Sequence, residues 1–313
     1  MNGKRICIIG GTGSLGQSLI HRYRHDNKIF VISRDEMKQW QLKSKYPDVT
    51  CFLGDIRMDM TRLLKTISPH IVINCAALKH IDICESNISE CIATNIHGTQ
   101  NVINACSEVK SVETVVFVST DKACSPVNVY GMSKSISERM MSEASIKIPD
   151  KKFVCVRYGN VLNSRGSIIP KFKEIASSTS STCSCIPVTS DKMTRFFMQI
   201  EESVELIHKA IIHGESGDTW VPQIPSFQIV DLAMYFARKY NKNIQFIGVR
   251  PGEKYHECLI NQDEIARTTF SHDCYIIKPC YQNYSFTALQ SEYTSEKFTD
   301  FEKFLPIIEK FIM

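Results

Sequence analysis

A doubly wound parallel α/β sheet with a smaller, discontinuous C-terminal part is the fold class that this 313-residue chain predicts. Three observations carry the expectation. Short apolar runs alternate with amphipathic stretches through the first half, as βαβ units require. The first apolar run empties directly into a glycine-rich turn, and a helical pattern follows at once. The length suits two domains at ~150 residues each. Apolar residues make up 43% and charged residues 22%, ordinary globular values that exclude disorder and collagen.

The elements follow in order. Residues 5–9 (RICII) form the first strand, and 15–25 the first helix. Apolar runs at 29–33, 50–53, 71–74, 114–119 and 153–157 supply five more strands. Helical patterns lie among them at 36–45, 90–107 and 133–148. Crossovers of this kind are right-handed, so helices cover both faces of the sheet. The second half is less regular. Residues 177–185, a Ser/Thr/Cys tract, read as a surface loop. Helical patterns return at 201–212 and 229–240, with isolated strands, and no internal repeat occurs. The expected division is a cofactor-binding part at 1–163, with returning segments near 196–225, and a second part at 164–195 and 226–313. A ligand between them lies outside the carboxyl ends of the strands.

Composition narrows the function classes. Lys plus Arg number 37 against 33 for Asp plus Glu, a net +4. That is too mild for a nucleic-acid binder. No run of eighteen apolar residues exists to span a membrane. The apolar run after Lys4 and Arg5 stops at Gly10, too soon for a signal peptide. Thirteen cysteines without a CxxC pair, and nine dispersed histidines without HExxH, read as core thiols of a reduced, cytoplasmic chain with no metal site.

Gly10-Gly11-Thr12-Gly13-Ser14-Leu15-Gly16 fits both GxGxxG and GxxGxxG between strand and helix, the Rossmann-type dinucleotide turn. Glycine is needed there because a side chain would keep a pyrophosphate from the backbone N–H groups and the helix N-terminus. The second strand ends at Ser33-Arg34, where an NAD site usually places an acid for the ribose hydroxyl. A hydroxyl and a planar cation suit a 2′-phosphate, so NADP is expected over NAD. Asp55, after the third strand, is placed for the adenine amino group, although a lone aspartate also suits a turn.

The fifth strand ends in Ser119-Thr120-Asp121-Lys122, and Tyr130-Gly131-Met132-Ser133-Lys134 follows. Tyr-x-x-x-Lys on a helix puts both side chains on one face. The expectation is that Lys134 lowers the Tyr130 pKa and lets the phenolate take a proton from an alcohol during hydride transfer.

On these residues the chain resembles an extended short-chain dehydrogenase/reductase, and within that group the inverting UDP-N-acetylglucosamine 4,6-dehydratases of the polysaccharide-biosynthesis family. The matching stretches are GGTGSLG (10–16), SRDEMKQ (33–39), GDIR (54–57), AALKH (76–80), STDKA (119–123), NVYGMSK (128–134), RYGNVLNSRGSIIP (157–170), DKMTRF (191–196) and RPGEKYHE (250–257). They run in family order to about residue 260, and the chain resembles the form without N-terminal membrane spans.

The resemblance implies Thr120, Asp121, Lys122, Tyr130 and Lys134 as catalytic residues. Asp121, protonated, is the acid for the departing 6-hydroxyl. Lys122, neutral, is the base at C5, its pKa pushed down by burial and neighbouring charge. Retaining dehydratases carry Asp-Glu where this chain has Asp-Lys. Cofactor contacts fall to Gly10, Thr12, Gly13, Ser14, Leu15, Gly16, Ser33, Arg34, Lys38, Asp55, Ile56, Ala76, Ala77, Lys79, Ser119, Tyr130 and Lys134. UDP-N-acetylglucosamine contacts fall to Lys79, Asn160, Arg165, Arg195, Arg250 and Glu253, the arginines facing the diphosphate and Glu253 the uridine ribose. One departure is that the segment between Phe172 and Asp191 is roughly six residues longer than the family pattern, a cheap change in a surface loop.

The alternatives are a 4-epimerase or retaining dehydratase of the same fold, and a non-catalytic NADP-sensing regulator. The helical patterns at 90–107 (Ile92, Ile96, Val102, Ile103, Cys106) and 133–148 (Ile136, Met140, Met141, Ala144, Ile148) are apolar over more than one stripe. The resemblance implies that they pair with their copies in a homo-oligomer built on a two-fold dimer.

Overall fold

The computed structural model describes residues 1–177, 185–281, 283–286, 288–297 and 301–312. The first half runs β1 (Arg5–Ile9), α1 (Ser14–Tyr23), β2 (Lys28–Ser33), α2 (Glu36–Lys45), β3 (Thr50–Leu53), α3 (Thr61–Ile67), β4 (Ile71–Asn74), α4 (Ile81–Ser86), α5 (Ile88–Cys91), α6 (Gly98–Glu108), β5 (Thr114–Val118), α7 (Val129–Lys147) and β6 (Lys152–Val156). The second half adds β7 (Asn160–Val161), α8 (Ile168–Ser177), β8 (Cys185–Val188), β9 (Thr194–Met198), α9 (Ile200–His213), β10 (Thr219–Pro222), β11 (Ser226–Gln228), α10 (Ile229–Tyr240), β12 (Asn243–Phe246), β13 (Cys258–Ile260), α11 (Gln262–Ile265), β14 (Thr268–Ser271), β15 (Cys274–Ile277), β16 (Tyr293–Thr294) and α12 (Leu305–Ile312).

The large sheet has the order β3-β2-β1-β4-β5-β6-β10-β15-β14. It is parallel from β3 to β10 and antiparallel at β15 and β14. The order reverses between β1 and β4, so the carboxyl ends of these two strands flank the crevice where such sheets bind ligands. Alternate residues of β1 enter separate cores. Ile6 and Ile8 join Leu19, Val204 and Ile207 on the α1/α9 face, while Cys7 and Ile9 join Leu64, Val102 and Met141 on the α3/α6/α7 face. The period of two along a strand buried on both sides produces this division.

A three-stranded sheet, β11-β9-β7, stands beside the large one. Phe196 of β9 packs into the first core, and its neighbour Phe197 into a third, with α8, α10 and Phe227. Phe197 and Phe227 stack with centroids 4.1 Å apart. This strand therefore ties the two layers of the cleft together.

All six early strands lie where the sequence places them, to within a residue at each end. Three features differ. The single helix expected over 90–107 contains a π-helical turn, Ile92–His97. The turn aims Asn95 inward, where it accepts from the Leu78 N–H (2.8 Å) and donates to the Leu78 carbonyl and to Ser133 Oγ. Helix α7 starts four residues before the expected 133, because Asn128 Oδ1 caps it by accepting from the Gly131 N–H at 2.7 Å. Residues 268–277, expected in the second part, extend the large sheet instead. The Ser/Thr/Cys tract falls outside the described residues from 178 to 184. Among the described residues, no helix is long and apolar enough to cross a membrane, and most cysteines are buried thiols.

Candidate active site

The carboxyl ends of the parallel strands open into one cleft of about 1480 Å³. Every site residue expected from the sequence lines it, except Asp121, which lies fully buried behind the wall.

The glycine turn forms the floor. Gly10 has φ +79°, and a β-carbon on it would lie 2.9 Å from the Ala76 nitrogen. A β-carbon on Gly16 would lie 2.4 Å from Gly11 Cα, so α1 can approach the turn only without a side chain there. Gly13 caps α1 with no side-chain acceptor, which leaves the first-turn N–H groups free for an anion. Thr12, Ser14 and Leu15 face the same space, with Ile56, Ala76 and Ala77 opposite. This cradle fits a dinucleotide.

At the end of β2 the Ser33 hydroxyl accepts from Gln39 Nε2 at 3.0 Å. Arg34 is 57% exposed at its side chain and stands 4.0 Å from Asp55. Lys38 pairs with Asp35 at 2.5 Å. The expected adenine acceptor, Asp55, is gripped by Arg57, which holds its carboxyl below the usual range. Arg57 is a partner that the lone-aspartate reading did not include.

Arg165 departs from expectation. Its guanidinium donates to the Thr12 carbonyl, and its N–H to Ser14 Oγ at 3.3 Å. Its carbonyl accepts from Lys79 Nζ at 2.8 Å. Burial and the Arg165 cation together hold the Lys79 pKa down. Arg165 thus straps the glycine turn instead of facing the far end of the cleft. Asn163 and Gly166, both at positive φ, allow the segment to double back there.

The acid–base groups meet where β5 ends. Thr120 Oγ1 donates to Asp121 Oδ1 (2.9 Å), and Lys122 Nζ stands 3.1 Å from the same oxygen and 3.4 Å from Asn160 Oδ1. Burial pulls the Lys122 pKa down, but the carboxylates of Asp121 and Glu257 outweigh it and hold the lysine charged, above its ordinary value. The expected neutral Lys122 is thus corrected to an ammonium at rest. Asp121 is raised, by burial first and then by Glu257. Tyr130 is also corrected. Burial lifts it to about 12, and the cation that opposes burial is Lys122, helped by a hydrogen bond with Thr120. Lys134 spends its ammonium on the Val118 carbonyl (2.5 Å) and the Phe117 ring (3.8 Å), and burial lowers it to about 8.

At the far end, Arg195 is buried and donates to the carbonyls of Thr194 and Tyr255. Arg250 and Glu253 pair with each other at 2.5 Å. Glu257 is a residue that the sequence reading passed over, although it closes the quoted stretch 250–257. Its carboxylate lies within 4 Å of Lys122, Arg195 and Lys254. Only the fold brings those three cations together.

The family described as polysaccharide biosynthesis protein matches residues 6–279. The chain belongs to this family. Within this polysaccharide-biosynthesis family it is 41% identical, over 287 residues, to a UDP-N-acetylglucosamine 4,6-dehydratase (inverting) of Campylobacter jejuni, covering 89% of this chain and 84% of that one. It is 36% identical over 287 residues to a UDP-glucose 4-epimerase of Rickettsia massiliae, covering 88% and 82%. Pen from Bacillus thuringiensis superposes with a TM-score of 0.90 at 31% identity, covering 99% and 98%. The chain is thus similar to relatives named for two different reactions, and its acid–base groups must separate them.

Proposed function

We propose that this polysaccharide-biosynthesis protein is an NADP-dependent UDP-N-acetylglucosamine 4,6-dehydratase that inverts C5, giving UDP-2-acetamido-2,6-dideoxy-β-L-arabino-hexos-4-ulose. The observation that carries this reading is the Asp121–Lys122 pair, 3.1 Å apart beside Tyr130. The similarity to the Campylobacter dehydratase supports it.

A bound nicotinamide dinucleotide supplies hydride acceptance from C4 and hydride return to C6, with no net oxidation. Tyr130, a phenol at rest, gives its proton to solvent and then, as the phenolate, takes the proton of the 4-hydroxyl. The ketone then acidifies the C5 proton. One proton passing from Lys122 Nζ to Asp121 Oδ1 turns the resting ion pair into an amine and a carboxylic acid. The amine removes the C5 proton, and the acid, buried behind Thr120, protonates the departing 6-hydroxyl through the Thr120 hydroxyl, which passes one proton on as it receives another. Water leaves, and the ion pair is restored. C5 is reprotonated from the opposite face, and the proton held by Tyr130 balances that delivery.

In the proposed assignment Gly10, Gly13, Gly16, Thr12, Ser14 and Leu15 cradle the pyrophosphate, with Lys79 and Arg165 closing over it. Ser33, Arg34 and Lys38 take the 2′-phosphate, which favours NADP over NAD, and Asp55, Ile56, Ala76, Ala77 and Ser119 line the rest. Asn160, Arg195, Arg250 and Glu253 take the nucleotide sugar. The cofactor part comprises 1–163 with later returning segments, to which we add residues 268–277. Buried free thiols support a reducing, cytoplasmic setting. Exposed Ile92, Met132 and Ile136 on neighbouring helices support a dimer as the unit of a homo-oligomer.

Incubation with UDP-N-acetylglucosamine in deuterium oxide tests the reaction. The expected product is a 4-keto-6-deoxy sugar with deuterium at an inverted C5. A 4-epimerase, the reading that the Rickettsia relatives favour, leaves C5 unlabelled and C6 oxygenated. It would also leave Asp121, Lys122 and Glu257 without a task, since epimerisation needs proton transfer only at the 4-oxygen.

A further inference from the structure

We propose that Glu257 is a positioning residue for Lys122: its carboxylate, 3.3 Å from the ammonium that also meets Asp121, fixes the amino group at the cleft wall and sets the pH at which the Lys122–Asp121 pair gives up a proton. The inference deepens the dehydratase reading and rests on it only for the task given to the amine.

Glu257 does not line the cleft, so it acts through another residue. Its Oε1 is 3.3 Å from Lys122 Nζ and 3.6 Å from Arg195 Nε, and its Oε2 is 3.9 Å from Lys254 Nζ. Its backbone is held on both sides. The Glu257 N–H donates to Ser295 Oγ at 2.9 Å, and the Glu257 carbonyl accepts from the Ser295 N–H at 2.8 Å. The carboxylate therefore has a fixed place just before β13. Its Oε2 is buried and makes no hydrogen bond among the described residues. A buried carboxylate left that way is costly unless nearby cations repay it.

The charged and titratable groups facing Lys122 come from every element around it. Asp121 stands beside it on the loop after β5, Glu257 before β13, and Arg195 on β9. Tyr130 faces it from α7. Lys254 stands behind Glu257. Asn160 of β7 adds a neutral acceptor. Asp121 alone would offer the proton a single route and leave Arg195 to repel the ammonium. The second carboxylate offsets that repulsion and opposes loss of the proton until the pair with Asp121 is used. An opposite charge at this distance moves a pKa by about one to three units.

The test is a pH titration of ¹³Cε-labelled lysines in the whole protein with NADP added, the Lys122 signal being identified by its loss in Lys122→Arg. In Glu257→Gln the Lys122 midpoint should fall by about one pH unit or more. In Glu257→Asp, with the carboxylate drawn back, it should fall by less. A midpoint unchanged in both variants overturns the proposal, and a structural role alone would lower thermal stability without moving it. If Glu257→Gln does not fold, the Glu257→Asp midpoint decides alone. The second arm follows C5 deuterium exchange from UDP-N-acetylglucosamine against pH. Loss of a net proton from the Lys122–Asp121 pair removes the acid for the 6-hydroxyl, so the falling alkaline limb should move to lower pH in Glu257→Gln by the same amount, and an active variant with an unmoved limb also overturns the proposal. A wild-type protein that makes no keto sugar removes the dehydratase reading, while the lysine titration still decides on Glu257.

Discussion

A β-carbon on Gly131 would lie 2.2 Å from the carbonyl oxygen of Lys122. Helix α7, which carries Tyr130, and the loop that carries Asp121 and Lys122 therefore meet through bare backbone. Gly131→Ala must push the two apart. Displacement on the order of 1 Å costs about a hundredfold in rate, and the overpacking costs about 1–3 kcal/mol of stability. Turnover at saturating cofactor, read beside a denaturant midpoint, checks both. Full activity in this variant would show that the contact does not set the geometry.

Lys134 works against folding. Its pKa in the folded chain is about 8, because burial disfavours the ammonium, against 10.5 in the open chain. The folded state therefore binds fewer protons than the unfolded one between these values. The penalty is fully present below pH 8 and is relieved as the pH rises toward 10.5. Lys134→Met should stabilise the cofactor-free protein at pH 7 by about 1–3 kcal/mol while abolishing turnover. Urea midpoints at pH 7 and pH 10 measure the gain and its narrowing. A variant less stable than the parent at pH 7 contradicts the assignment.

Arg34→Ala should weaken NADP far more than NAD. Loss of a charge-assisted contact to the 2′-phosphate costs about 1.5–3 kcal/mol, roughly ten- to hundredfold in affinity. Titration calorimetry with both cofactors reads the difference, and equal losses would assign the 2′-phosphate to another residue.

Arg165→Ala removes the strap from Thr12 to the 163–167 segment and frees Lys79 from its carbonyl partner's anchor. The expected result is faster cofactor release, by about tenfold for one charged hydrogen bond, with hydride transfer in the loaded enzyme unchanged. Stopped-flow displacement of reduced cofactor measures it. An unchanged release rate would detach Arg165 from cofactor retention.

Assembly is testable at Ile136. It is 47% exposed, beside Met132 at 46% and Ile92 at 38%, whereas Met141 and Ala144 of the same helix are core. Ile136→Asp should convert the protein to a monomer in sedimentation at micromolar concentration, with its melting behaviour otherwise retained. Met140 is partly packed on the core, so a charge there would report on folding as well. A wild-type protein that is already monomeric ends the proposal.

The parallel sheet was legible because strands such as Ile71–Asn74, buried at every residue, leave an apolar signature that local sequence records. The glycine turn and Tyr130-x-x-x-Lys134 were legible because backbone crowding and helix spacing constrain neighbours in the chain. The charge states were not. Burial pulls Lys122 toward the amine, and it stays protonated because Asp121 and, from 135 positions away, Glu257 together outweigh that pull. Such pairings are set by the fold, and burial alone misjudges their sign. The π-helical turn was invisible for a related reason: Asn95 is drawn inward by Leu78 and Ser133, partners in other segments.

The pairing of β10 with β6 has a consequence for dissection of the chain. Thr219 and Trp220 lie along Cys155 and Val156, and β15 and β14 continue outward from there. A fragment ending at residue 163 would keep the whole glycine turn and the Tyr130 helix, yet expose β6 as a bare hydrophobic rim. Exposed strand rims recruit other chains. The nucleotide-binding half is therefore expected to precipitate or form fibrils when produced alone, and an excised cofactor module would need the 219–222 and 268–277 strands grafted back to remain in solution.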